Sequence, residues 1–214
     1  MSLKGVDRVV AESDIRDCLA RYCRGIDRMD RDLLDSAYWA DAYDDHDAWK
    51  GNAGAFIDWV LEALTHFDQS VHMLGQSLFE FPSADRASVE TYLFNYLRQK
   101  VSGGANDILL CGRYLDVFER RDAEWRILHR RVATDWVRDL GTAPSWDEEI
   151  VGHIWKMGAR KPVAFDVRRS RWAFDSLLAA AVRGRGQDTK DVHSTWSITT
   201  SFLALVRSIA TLIS

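Results

Sequence analysis

At 214 residues, 47% hydrophobic and 28% charged, the chain is long enough to bury a full core and has an ordinary globular composition. A formal charge of −4 supplies no pull toward nucleic acid or an acidic membrane surface, so neither is expected as a partner. Cys18, Cys23 and Cys111 are odd in number and lack paired ligand spacing, and no long apolar run follows the first charges. Those features lead us to expect a reduced, cytoplasmic protein without a signal peptide.

Ile15, Leu19, Tyr22 and Ile26 recur at helical spacing behind Ser13, which predicts a first helix capped by Ser13 and ending near Asp27. Leu33, Leu34, Ala37 and Tyr38 predict a short second helix. Phe56, Val60, Leu64 and Phe67 predict a third, entered after Gly51 and Asn52. The acidic, aromatic stretch 43–49 between them is a short strand or loop.

From Ser70 the period changes to two. Segments 70–81, 87–99, 108–120 and 124–137 are rich in β-branched and aromatic residues and predict four long strands. Turn residues separate them, and Arg121-Asp122-Ala123 is short enough for a hairpin. Helices followed by a meander give an α+β fold, with a curved sheet wrapped around a helix and a pocket at one end. This first domain spans residues 1–140. In the extension 141–214, segments 146–157 and 169–182 have helical patterns. Segment 201–213 is strongly apolar but too short to span a bilayer, so it packs on its own domain or on a neighbour.

The candidate chemistry starts with Asp27 and His72. A carboxylate that fixes an imidazole's tautomer and stabilises the imidazolium makes a base able to remove a proton from carbon or oxygen. Against that, an Asp near a helix end is commonly a solvated cap, and a strand His commonly a satisfied core residue. Tyr22 lies on the apolar stripe and is either core or a hydroxyl aimed at substrate oxygen. Asn95 shares a strand face with Val89, Thr91, Leu93 and Leu97, so its amide meets either backbone or a ligand. His46, within Asp44-Asp45-His46-Asp47, is a metal ligand, a pocket residue or a solvated one, and no second histidine falls at ligand spacing to favour the metal. Arg131, alternating with His129, is a candidate anion clamp, with Arg130 or outward ion pairing as the alternative. No phosphate-binding glycine loop, dinucleotide fingerprint, HExxH or nucleophile elbow is present.

The stretches IRDCLARYCRGIDRMDRDLLDSAYWADAYDDHDAWKG, SVHMLGQSLFEF and GRYLDVFERRDAEWRILHRRVATDW resemble SnoaL-like proteins of the nuclear transport factor 2-like cone-fold superfamily. The resemblance covers residues 6–140. Within that superfamily the motifs resemble those of scytalone dehydratase, bile-acid 7α-dehydratase and hexachlorocyclohexane dehydrochlorinase. It implies His72 as general base, Asp27 as its orienting partner and Tyr22 as a phenol that polarises a substrate oxygen. Asn95 stands where the bile-acid enzyme carries an aspartate. Arg131 matches a final-strand arginine, with Thr134 competing for that place. The resemblance also implies assembly as a homo-oligomer, with a trimer favoured. The expected activity is therefore a cofactor-independent lyase acting on a hydrophobic cyclic small molecule. The rivals are a non-catalytic cone-fold subunit, like the small subunit of ring-hydroxylating dioxygenases, or an isomerase on the same fold. Co-purification of an iron–sulfur partner separates the first rival, and a pocket with carboxylates but no accessible histidine separates the second.

Overall fold

The computed structural model describes residues 2–145. Helix α1 (Gly5–Arg28) starts two turns before Ser13, which lies exposed within it. The apolar stripe could not reveal those turns, because Val6, Val9 and Val10 point to solvent. They are held instead by charge: Glu12 pairs with Arg8 at 2.8 Å and Arg16 at 3.4 Å, at helical spacing. The expected stripe of Ile15, Leu19, Tyr22 and Ile26 is buried throughout. Each such side chain contributes roughly 1.5–3 kcal/mol of burial.

Met29 ends α1 in the left-handed region at φ 54°, and the Asp30 N–H reaches back to the Gly25 carbonyl at 2.9 Å. Asp30 then caps α2 (Arg31–Ala37) by accepting from the Leu33 N–H. Two closely spaced termini thus hold Asp27 in the last turn of α1 at a defined height. The segment 43–49, left open as strand or loop, is both: 43–45 end β1 (Tyr38–Asp45), and 46–49 form the turn into β2 (Lys50–Asn52). Helix α3 (Ala53–Ala63) ends sooner than expected. Leu64–His66 form a 3-10 turn, and Phe67 already opens β3 (Phe67–Glu80). Phe67 kept the helical spacing by coincidence.

The strands β4 (Arg86–Val101), β5 (Gly104–Arg121) and β6 (Glu124–Thr142) complete one six-stranded sheet in the order β2-β1-β6-β5-β4-β3. The expected hairpin joins β5 to β6 through Asp122 and Ala123, both at positive φ. Strand β1 runs parallel to β6, which makes the sheet mixed. The α+β architecture, with N-terminal helices on a curved sheet, matches the reading of the sequence. The expected helices and apolar segment beyond residue 145 lie outside the described residues.

Arg98 and Tyr96 on β4 both donate to Asp107 of β5, at 2.8 and 2.7 Å. Burial raises the Asp107 carboxyl, but these two donors outweigh it and hold it below its ordinary 3.8. A depressed folded-state value stabilises the fold above the unfolded value, and that stabilisation is lost as pH falls through the folded one. Asp107→Asn is therefore destabilising at pH 7 and much less so near pH 3. Urea denaturation of both forms at the two pH values checks this, and an equal difference at both would refute it.

Candidate active site

Asp27 and His72 meet. The last turn of α1 presents the Asp27 carboxylate to the outer edge of β3, the last strand in the sheet order. At this edge, which no other described strand pairs, Oδ1 accepts from His72 Nδ1–H at 2.6 Å and from Ser70 Oγ at 3.1 Å, and Oδ2 accepts the His72 backbone N–H at 3.0 Å. Proton donation from Nδ1 leaves the lone pair on Nε2. The imidazole is only 6% exposed and lines a groove of about 520 Å³ between α1 and β3. The apolar part of that groove comes from Leu19, Ala20, Cys23 and Leu74. Burial pushes the Cys23 thiol up to about 12, so it is held protonated and is no thiolate nucleophile.

Asn95 stands directly across from His72 in the β3–β4 register. Its side-chain oxygen is buried and accepts no hydrogen bond among the described residues. A buried amide oxygen without a donor is costly, at about 1–3 kcal/mol, unless something else supplies one. Asn95→Leu should therefore leave the free protein's stability unchanged or raise it, while weakening ligand binding. Thermal denaturation separates the cases: a loss above about 2 kcal/mol would mean a structural amide instead.

Tyr22 does not join this pair. It is 1% exposed, packs edge-on against Tyr38 and Tyr114, and donates its hydroxyl to His46 Nε2 at 3.2 Å. Burial drives its pKa well up, with Arg130 opposing, so the phenol keeps its proton. His46 in turn donates Nδ1–H to Asp44, which also accepts from the Tyr38 hydroxyl at 2.6 Å. Its ring stacks on Phe56 at 4.3 Å. Asp44, from a cluster that reads as solvated, is fully buried.

The arginine of the last strand needs a correction. Arg131 is exposed, whereas Arg130 is fully buried and forms two parallel bonds to Asp116, at 2.8 and 2.7 Å. The cause is a β-bulge. Phe118 pairs with Ile127 but Val117 pairs with His129, so Leu128 is an extra residue that reverses the alternation. Thr134 shares the face of Arg130, although it is exposed. The Arg130 guanidinium lies over the rings of Tyr22 and Tyr114, at 4.1 and 3.8 Å. Burial works against its charge, but Asp116 and the phenols outweigh that and keep it a cation. Asp116 was not singled out from the sequence. Its signal was the one used for Asn95: a polar residue between Tyr114 and Phe118 on a strand face otherwise buried and apolar.

A buried imidazole oriented by a carboxylate at the wall of an apolar groove, with Asn95 opposite it in the strand register, is equipped for proton transfer at carbon or oxygen. Comparison with known proteins agrees with the fold. Gamma-hexachlorocyclohexane dehydrochlorinase of Sphingobium indicum is 26% identical over 144 residues, 64% of this chain and 89% of that protein. The structure of the type-3 dehydrochlorinase from Novosphingobium barchaimii superposes with a TM-score of 0.59 at 20% identity, covering 65% of this chain and 99% of that one. A candidate scytalone dehydratase from Novosphingobium aromaticivorans gives a TM-score of 0.56 at 16% identity, over 74% and 96% of the two chains. The model of the SnoaL-like domain matches residues 7–131, more than half of the sequence, and the chain belongs to that family.

Proposed function

We propose that the protein is a cofactor-independent lyase that eliminates water or hydrogen halide from a hydrophobic cyclic small molecule. The observation carrying this reading is the 2.6 Å bond between His72 Nδ1 and Asp27, made at the wall of an apolar groove. His72 Nε2 takes a proton from a ring carbon. The C–H electron pair becomes the new double bond, and the leaving group departs from the adjacent carbon with its own pair. Asp27 stabilises the imidazolium that forms. Asn95, across the strand pair from His72, donates to or accepts from a polar group of the substrate. Tyr22, buried and bonded to His46, takes no part in this step. The dehydrochlorinase and dehydratase relatives support elimination as the reaction type.

A panel of cyclic alcohols and halides, assayed for alkene product with His72→Ala alongside, tests the proposal. We expect turnover by the native protein that falls by orders of magnitude in His72→Ala. Elimination that persists undiminished in the variant, or a panel without any product, would overturn it.

A further inference from the structure

The groove beside His72 has an unexpected charge for a chain of net −4. Arg16, Arg24 and Arg28 line it, while Asp27 is its one carboxylate. All four lie on the face of α1 turned to β3. Arg16 is already committed, bonded to Glu12 at 3.4 Å and lying over the Phe79 ring at 4.5 Å. Asp27 accepts from His72 and Ser70. Arg24 and Arg28, one turn apart, have no ion-pair or hydrogen-bond partner among the described residues. Arg28 sits in the last turn, where the helix dipole accounts for a cation. Arg24 lies a turn earlier and gains little from that, so the dipole does not explain the pair.

The opposite wall also offers a donor. The His72 N–H points away from β4 to the outer edge of β3, as its bond to Asp27 shows, and Leu74, two residues on, turns its N–H to the same edge. The groove thus combines an apolar wall, a base and unspent cationic donors. Its volume of about 520 Å³ accommodates a ring bearing a short substituent.

We propose that Arg24 and Arg28 form an oxyanion subsite, so that the ring substrate carries a carboxylate or phosphate. This rests on reading the His72 groove as the substrate site. Guanidinium groups suit it, because their planar forks match the geometry of either oxyanion. The subsite anchors the substrate by its charged end and leaves the ring against Leu19 and Leu74, beside His72.

Calorimetric titration of the full chain with 2-naphthoate, 2-naphthyl phosphate and neutral 2-naphthamide tests the subsite. The amide serves as internal reference, so the readout is a ratio of dissociation constants. We expect the native protein to favour one or both anions over the amide by about tenfold or more, as charged hydrogen bonds predict. The better anion identifies the class. In Arg24→Gln/Arg28→Gln the ratio collapses toward one, and in Arg24→Lys/Arg28→Lys most of it returns. Equal binding of all three by the native protein, or an unchanged ratio in the glutamine variant, overturns the subsite alone. Failure of all three to bind at millimolar concentration overturns it together with the groove as a ring site. The proposed reaction fails separately, if His72→Ala retains turnover while the anion preference stands.

Discussion

Replacing His72 with alanine lowers kcat/KM for elimination by about 10²–10⁴, the usual contribution of a positioned general base, with little loss of folding stability. The stability half of this expectation follows from the Asp27 contacts. Two of its donors, the Ser70 hydroxyl and the backbone N–H of residue 72, survive the substitution. The carboxylate is therefore not stranded. Asp27→Asn is the sharper probe. An amide presented to His72 Nδ1 can place its NH₂ there, and the imidazole then carries its proton on Nε2, the wrong atom to accept from substrate. Turnover drops by a similar factor while KM changes much less, because the amide keeps the shape of the groove wall that Asp27 helps to form. Steady-state kinetics of both variants, with thermal denaturation alongside, decide the matter. Full activity in Asp27→Asn would remove the carboxylate from the mechanism.

Arg130→Met costs about 3–5 kcal/mol of folding stability, the range for breaking a buried ion pair from one side. The loss does not measure the worth of the pair; it measures Asp116 left buried without the two bonds that neutralise it. Arg130→Met/Asp116→Leu should accordingly recover most of the loss, since the polar groups leave together. For a domain of this size the single variant melts roughly 10 °C lower or more. A double variant no more stable than the single would show that the guanidinium's contacts with Tyr22 and Tyr114 dominate instead. Arg130 also braces the Tyr22 ring, whose hydroxyl holds His46.

Much of this architecture was legible in the residues. A stripe of Ile15, Leu19, Tyr22 and Ile26 can be buried only as a helix, and four period-two segments behind it leave little choice but a helix-backed sheet. The hairpin at Asp122 and Ala123 followed from length. The His72–Asp27 bond required more than spacing, since 45 positions separate the two residues. It became an expectation through the resemblance to a known family, and became geometry only when the α1 C-terminus met the edge of β3.

What the sequence by itself determined was the class of fold, the buried stripe and the identity of the residues able to move a proton. What only the tertiary structure decided was which of them touch. The bulge at Leu128 leaves no mark in composition or period, yet one added residue turns Arg130 inward and Arg131 outward. Asp44 reads as one of several solvated acids, and is buried because Tyr38 and His46 satisfy it from other elements. Tyr22 carries the same phenol whether it faces a substrate or a neighbouring imidazole. Local sequence sets period and propensity through forces that act within a few residues. Contacts between distant side chains depend on register, bulges and helix ends, which are resolved only when the whole core packs.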